Sequence, residues 1–314
     1  MDNVLFVPSV QQTAWLSEIL PGMSLAELPI AGKRIVEYWI EIAAKYDVAM
    51  IEILDCHWSQ SLSRFYSDLT AAAFPVFCSK LEGEAPRGLR ELEKISSPLT
   101  QNINDDLVVV WGLCLTGHFY TNLRLIEVGE ADLESTPPGV YRRKGGRWMR
   151  VRPDGLKIRD VKSWLRMNLA VMHESGEFTL PGYSAEAGVN LGRNVVLEHG
   201  TEVKPPVIIQ DDTWCARNVL LEGDVIIGNG SFISEGARLK RTIVGANTYI
   251  GSKLELVDKI VIGKRVIDSK TGVWTDIEEA GVARDLNEHA TEFGKMLRAL
   301  WRFFIGRSHG GRMQ

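Results

Sequence analysis

GDVIIGNGSFISEG, residues 223–236, sets glycines among aliphatic residues at nearly regular intervals, a rhythm that suits neither an amphipathic helix nor an ordinary strand. It is part of a six-residue repeat that starts at Leu191 and runs LGRNVV, LEHGTE, VKPPVI, IQDDTW, CARNVL, LEGDVI, IGNGSF, ISEGAR to Arg238. After LKR and a slip of one residue between Leu239 and Thr242, it resumes from Val244 to Ile267 as VGANTY, IGSKLE, LVDKIV and IGKRVI. Position one is Leu191, Leu197, Val203, Ile209, Cys215, Leu221, Ile227, Ile233, Leu239, Val244, Ile250, Leu256 and Ile262, all aliphatic or cysteine. Position five is mostly small or branched, as at Val195, Thr201, Val207, Thr213, Val219, Val225, Ser231 and Ala237.

A helix repeats its apolar residues every three or four positions and a half-buried strand every two, so a strict period of six is neither. It is the period of a coil that turns a corner every six residues. Each flat segment sends one aliphatic side chain into a shared interior, and a glycine or other small residue beside it takes the backbone through the corner. Each such burial is worth roughly 1.5–3 kcal/mol. Ordering the chain offsets most of the sum, so the coils are stable as an array.

The rest of the chain narrows the class. Its 314 residues and 45% hydrophobic content predict two domains with real cores, and the formal net charge of −4 argues against nucleic acid as a partner. Cys56, Cys78, Cys114 and Cys215 match no metal or CxxC spacing and read as reduced thiols of a cytosolic protein. Cys56 adjoins His57, but neighbours on a strand point to opposite faces, which argues against a catalytic pair. MDNVLFVPSVQQ carries Asp2 where a signal peptide has a base, so no leader is expected. LVVVWGLCL, 107–115, is about half of what a spanning helix needs.

The hexapeptides resemble the left-handed parallel β-helix of bacterial sugar nucleotidyltransferases and acyltransferases, and the hand of the coil comes from that resemblance. Four segments ahead of the repeat extend it. LPIAGKRIVEYWIEIAAKYDV, 28–48, resembles the loop and second helix of the Rossmann-like α/β domain of sugar-1-phosphate nucleotidyltransferases, with Ile35, Tyr38 or Trp39, Ile42 and Ala43 at helical spacing. AMIEIL, 49–54, follows as a buried strand, and LVVVWGLCL resembles the central strand. GVYRRKGGRWMRVRPDG, 139–155, resembles the hairpin that closes that domain, and VKSWLRMNLAVM, 161–172, the helix linking it to the β-helix. The resemblance implies an α/β domain over 1–155, a linking helix over 156–180, the β-helix over 181–270 and a C-terminal segment over 271–314. It marks Gly32, Lys33, Arg34, Glu37 and Gly112 as ligand-binding candidates for a sugar nucleotide or sugar phosphate. The competing reading of the charged ones is a solvated helix start.

The chain departs from the family where phosphate chemistry is done. The family runs its first strand into a glycine-rich loop whose N–H groups hold a triphosphate. Here VLFVP leads into SVQQTAWLSEI, with no glycine before Gly22. The phosphate-neutralising lysine falls at about Leu25, and the magnesium-holding aspartate of a Gly-Asp pair falls at Leu113, after Gly112. Leucine cannot ligate magnesium. Asp105 and Asp106 precede the strand and read as turn residues. Nucleotidyl transfer is therefore expected to be weak or absent, no cofactor is expected, and magnesium enters only if transfer survives.

Two other readings stay open. In an acyltransferase His199, the one histidine of the repeat, would be the base towards a sugar hydroxyl or amine, against which stands an exposed non-catalytic histidine. His57, His118, His173, His289 and His309 are scattered and suggest no metal site. From Asp285 to Arg307 the chain reads as a basic amphipathic helix, with Phe293, Leu297, Leu300, Trp301 and Phe304 at helical spacing and Lys295, Arg298, Arg302 and Arg307 around and beyond them. Phe293, Leu297, Arg298, Trp301, Arg302 and Phe304 would meet a membrane or a partner, or the segment would cap the β-helix. Similar nucleotidyltransferase-like proteins resemble the soluble half of larger ones in which a membrane-bound sugar-phosphate transferase for exopolysaccharide synthesis follows, and SHGGRMQ stands where that half would begin. The expectation is a cytoplasmic protein of cell-surface polysaccharide synthesis, peripheral to the inner membrane and able to form homo-oligomers.

Overall fold

Every residue of Leu107–Trp111 is buried, as the unbroken apolar run LVVVW requires of a strand with both faces covered. The computed structural model describes residues 3–8, 10–45, 48–55, 76–81, 84–101, 107–115, 124–152, 156–173 and 178–286. They fall into two compact units, 1–179 and 180–314.

The first unit is mixed α/β. Its strands are β1 Asn3–Val7, β2 Pro29–Ile30, β3 Lys33–Arg34, β4 Met50–Asp55, β5 Val76–Lys80, β6 Leu107–Trp111, β7 Cys114–Leu115, β8 Arg124–Glu127, β9 Gly139–Lys144, β10 Arg147–Arg152 and β11 Leu156–Lys157. Its helices are α1 Val10–Ile19, α2 Ile35–Lys45, α3 Leu89–Leu92, α4 Glu130–Glu134 and α5 Val161–His173. A seven-stranded sheet runs β5-β4-β1-β6-β9-β10-β8. β5, β4, β1 and β6 are parallel, and β9, β10 and β8 extend the sheet antiparallel. The order reverses between β1 and β6, the switch point at which open α/β sheets leave a crevice beyond the strand ends. β9 and β10 form the expected hairpin, turned by Gly145 (φ 58°) and Gly146 (φ 75°), the two consecutive left-handed residues of a type I′ turn.

The second unit is a three-sided stack of short parallel strands, compatible with a β-helix. Its first sheet aligns Val189–Leu191, Val207–Ile209, Val225–Ile227, Ile243–Val244 and Lys259–Ile262, its second Val196–Leu197, Trp214–Cys215, Phe232–Ile233 and Thr248–Ile250, and its third Glu202–Lys204, Leu220–Glu222, Arg238–Lys240 and Glu255–Val257. Val207 pairs with Val225, Cys215 with Ile233 and Leu221 with Leu239, each three hexapeptides on. The interior holds Ile209, Cys215, Leu221, Ile227, Ile233, Leu239, Val244 and Ile250, with Val207, Val219, Val225 and Ala237 from position five beside them. Cys215 is buried there, which pushes its thiol up to about 12.

Three details correct the sequence reading. The left-handed turn falls at position four rather than on the glycine at position two: Asn194, Asp212, Asn218 and Asn247 have φ of 56°, 58°, 57° and 52°. Asn and Asp tolerate that conformation because their short side chains bond locally. Gly228, at position two, is needed for close approach, since a Cβ there would stand 2.5 Å from Ala246 N in the next coil. Second, the register Val244↔Val261 makes Val261 the interior residue in place of Ile262, so LVDKI, 256–260, is a second five-residue unit after LKRTI, 239–243. Both short units stand at one corner, and parallel pairing decides which residue points inward. Third, Leu197 is 39% exposed in the first coil, and Ala283–Asp285 is a strand paired with Thr248–Ile250, so Asp285 does not open a helix.

At the corner of the short units, Arg241 Nε and Nη2 donate to the Asp258 carboxylate at 2.5 and 2.9 Å, and Lys270 Nζ lies 2.7 Å from it. The Arg241 hydrogen bond is the main cause that lowers this carboxyl to about 2. A folded-state value below the ordinary one of about 4 means the stabilisation is complete above pH ~4 and is lost as pH falls towards 2. Melting temperatures measured from pH 6 to 2 should therefore fall less in Asp258→Asn than in the wild type, and parallel curves would remove Asp258 from the acid response.

Candidate functional site

The crevice at the switch point lies over the carboxyl ends of β1, β4 and β6. Phe6, Pro8, Leu25, Trp39, Leu54 and Gly112 line it and leave about 10 Å³, roughly what one water molecule needs. The cause is local sequence. Trp39, buried on α2, stacks on Phe6 at 4.3 Å between ring centroids and 13° between planes. Its Nε1 donates to Cys114 O at 2.9 Å, which fixes the indole across the strand ends. Gly112 N donates to Val7 O at 2.7 Å, continuing the β1–β6 pairing past the strand end.

Leu25 stands on this wall, 7% exposed, and Leu113 is fully buried with its carbonyl accepting from Ile158 N at 3.0 Å. No carboxylate lines the crevice among the described residues. The described residues that line it do not fit a magnesium ion, and among the described residues no three His, Cys, Asp or Glu gather elsewhere. Asp105 and Asp106 lie outside the described residues.

Of the five ligand-binding candidates, only Gly112 lines the crevice. Gly32, Lys33, Arg34 and Glu37 belong to the β2–β3 hairpin and the start of α2. Ala31 (φ 44°) and Gly32 (φ 85°) make its tight turn. α5 holds that turn: Ala31 N donates to Asn168 Oδ1 at 2.7 Å and Trp164 Nε1 to Pro29 O at 2.8 Å. Lys33 Nζ pairs with Glu41 Oε1 at 2.5 Å and lies 5.1 Å from the centre of the Tyr38 ring. Arg34 N donates to Glu37 Oε1 at 3.2 Å, closing the first turn of α2. Burial, with Glu41 and Glu37 nearby, pushes the Tyr38 hydroxyl well above its ordinary value.

One buried carboxyl group escaped the sequence reading. Glu52, in the middle of β4 and fully buried, accepts from Ser79 Oγ, from Ser97 Oγ at 3.1 Å and from Leu99 N at 2.8 Å. Its lone pairs are taken by the chain itself, so it anchors the 97–100 turn. A glutamate inside AMIEIL was the available signal.

In the coil His199 is exposed in the turn between the second and third sheets, and its carbonyl accepts from Asn218 N at 3.3 Å. The three faces differ. The second carries outward Trp214, Phe232 and Tyr249, with ring centroids 6.2 and 5.9 Å apart, and Arg284 lies 4.5 Å from the centre of the Tyr249 ring. The third carries charge, as in the 2.7 Å pair of Lys240 and Glu222. The first carries isoleucines. Phe293, Leu297, Arg298, Trp301, Arg302 and Phe304 lie outside the described residues. No helix of the described residues is long and apolar enough to cross a membrane.

No family model matches the chain. It is 28% identical over 120 residues, 38% of its length, to a UTP–glucose-1-phosphate uridylyltransferase of Synechocystis sp.. It is 28% identical over 129 residues, 33% of its length, to a 2,3,4,5-tetrahydropyridine-2,6-dicarboxylate N-succinyltransferase of Caulobacter vibrioides. It is 35% identical over 106 residues, 33% of its length, to the bifunctional protein GlmU of Paraburkholderia phymatum. The matches span 31%, 46% and 21% of those proteins' own lengths. They support the general class of nucleotidyltransferase-like and hexapeptide transferase proteins.

Proposed function

We propose that this chain is a sugar nucleotidyltransferase-like protein of cell-surface polysaccharide synthesis, with weak or absent nucleotidyl transfer and a binding or scaffolding role. The observation that carries the reading is the crevice, narrowed to about 10 Å³ and lined by Leu25 and Gly112 beside the buried Leu113. A triphosphate needs donors and cationic side chains there, and phosphoryl transfer needs a carboxylate for magnesium. Apolar side chains meet neither need.

In this reading the α/β part covers 1–155, the linking helix 156–180, a left-handed β-helix 181–270 and the C-terminal segment 271–314. The ligand class is a sugar nucleotide or sugar phosphate, held without turnover, and Gly32, Lys33, Arg34 and Glu37 are its candidate contacts outside the crevice. The setting is cytoplasmic, and homo-oligomer formation is part of the proposal. Contact with a membrane or a membrane-bound sugar-phosphate transferase through 285–307 is supported by the residue pattern of that segment. It is also supported by Val266, Ile277 and Ala283, which already pack against the far end of the coil interior and relieve the segment of capping it.

Purified protein with magnesium, nucleoside triphosphates and a panel of sugar 1-phosphates is expected to release no pyrophosphate above background. Robust magnesium-dependent release would establish an active nucleotidyltransferase instead. The second reading, an acyltransferase, is favoured by the exposure of His199 and by the similarity to the Caulobacter succinyltransferase. It requires acyl-CoA binding and loss of transfer in His199→Ala, so transfer that persists in that variant excludes His199 as the base.

A further inference from the structure

A concavity of about 560 Å³ opens on the second unit at the corner between the first and second sheets, within the ~300–1,000 Å³ of small-molecule sites. Residues 192–195 and 211–212, from two successive coils, make its floor, and Tyr183 stands at one side. Tyr183 belongs to the strand Tyr183–Glu186, which pairs antiparallel with Val189–Leu191 and sets the tyrosine opposite Leu191, at the edge of the corner. It is 59% exposed, so most of its ring is open to solvent.

The floor is built from residue types that the corner selects. Gly192 lets the second coil approach, because a Cβ there would stand 2.4 Å from Asp211 N. Arg193 N donates to Asp211 Oδ1 at 2.8 Å, and its guanidinium donates to Asp211 Oδ2 from Nε at 3.1 Å and from Nη2 at 2.9 Å. Asn194 and Asp212, both left-handed, stack at position four of the two coils, and Asn194 Nδ2 donates to Asp212 Oδ1 at 3.0 Å. The next coil has Gly230 at that position, so the row of side chains stops at Asp212.

Arg193 and Asp211 neutralise each other, which leaves the Asp212 carboxylate as the uncompensated charge of the lining. Among the described residues, Asp212 Oδ2 and Asn194 Oδ1 have no hydrogen-bond partner. A lining with net negative charge repels phosphate groups. It also offers too little apolar surface for an aliphatic ligand. An open aromatic ring beside a carboxylate and an amide answers a sugar ring: the C–H bonds of one sugar face lie on aromatic carbon, and adjacent hydroxyls donate to the two free oxygens.

We propose that this corner is a binding site for a neutral, unphosphorylated pyranose, either free or at the end of an oligosaccharide. The ligand class differs from the sugar nucleotide or sugar phosphate proposed for the first unit. The inference does not rest on that reading, and the two fail separately.

Calorimetric titration of the full chain with the methyl glycosides of glucose, galactose, mannose and N-acetylglucosamine, and with maltotriose and chitotriose, tests the site. At least one of these is expected to bind. Tyr183→Ala should weaken it about tenfold or more, and Asp212→Asn about fivefold or more. Asparagine tolerates the left-handed backbone of position 212 and Tyr183 is mostly in water, so both variants should keep the wild-type melting curve. Tighter binding of a trisaccharide than of its methyl glycoside would identify a glycan end as the ligand, and equal affinities a free sugar. Absence of binding across the panel, or unchanged affinity in either variant, would overturn the proposal. Glucose 1-phosphate binding as tightly as methyl glucoside, and weakened by the same two substitutions, would overturn the neutral class.

Discussion

Leu221→Ala is expected to lower the stability of the coil by about 2–5 kcal/mol, read from urea unfolding. Leu221 is fully buried and stacks between Val203 and Leu239 of the neighbouring coils. Short strands locked by ladder hydrogen bonds cannot close in on the space left by three carbons, so the loss combines transfer and cavity terms. In a stack each coil is stabilised chiefly by its neighbours, so a void in a middle coil weakens two interfaces at once. Leu197→Ala provides the contrast. The same residue type at the same repeat position is 39% exposed in the first coil, and its truncation should cost under about 1 kcal/mol. Equal losses at the two positions would contradict the coil register.

Leu113→Asp restores in name the aspartate that the nucleotidyltransferase resemblance places after Gly112. It is expected to destabilise the first unit by on the order of 3 kcal/mol or more, because a carboxylate would replace a fully buried leucine. No magnesium-dependent pyrophosphate release should appear. Leu25 and Trp39 would still line the crevice, and among the described residues that line it no lysine would receive the phosphates. A stable Leu113→Asp protein that gains such release would show that a single substitution separates this chain from catalysis, and the scaffold reading would fall.

Much of the architecture was legible residue by residue. The aliphatic position one of the hexapeptides marked the interior from Ile209 to Ile250, because one inward side chain per flat segment forces that spacing. The helical spacing of Ile35, Trp39 and Ile42 marked α2, and GVYRRKGGRWMRVR marked its hairpin through the glycine pair. Position four was legible and missed: Asn, Asp and Gly recur there because the corner needs a positive φ. The second short unit was not legible. LVDKIV satisfies the period of six as well as LVDKI satisfies five, and only pairing with the coil below chooses between them.

At the candidate site, Leu25, Gly112 and Leu113 could be named from the resemblance to the nucleotidyltransferases, since a departure from that pattern is a matter of residue identity. That Trp39 stacks on Phe6 at the strand ends could not, because it depends on how α2 crosses the ends of β1 and β6. Nor could the burial of Ile208, Ile226, Ile243 and Ile260 on the first sheet of the coil. Alternation tells which residues leave the interior, whereas their burial of 4% exposure or less is not written in the local pattern. The sequence by itself determined the coil and its period, because these are written in local spacing and residue type, while the departures at Leu25 and Leu113 are read through the resemblance to the nucleotidyltransferases. The tertiary structure alone decided the narrow crevice and the register at the shortened corner, because each arises from segments apart in the chain brought face to face.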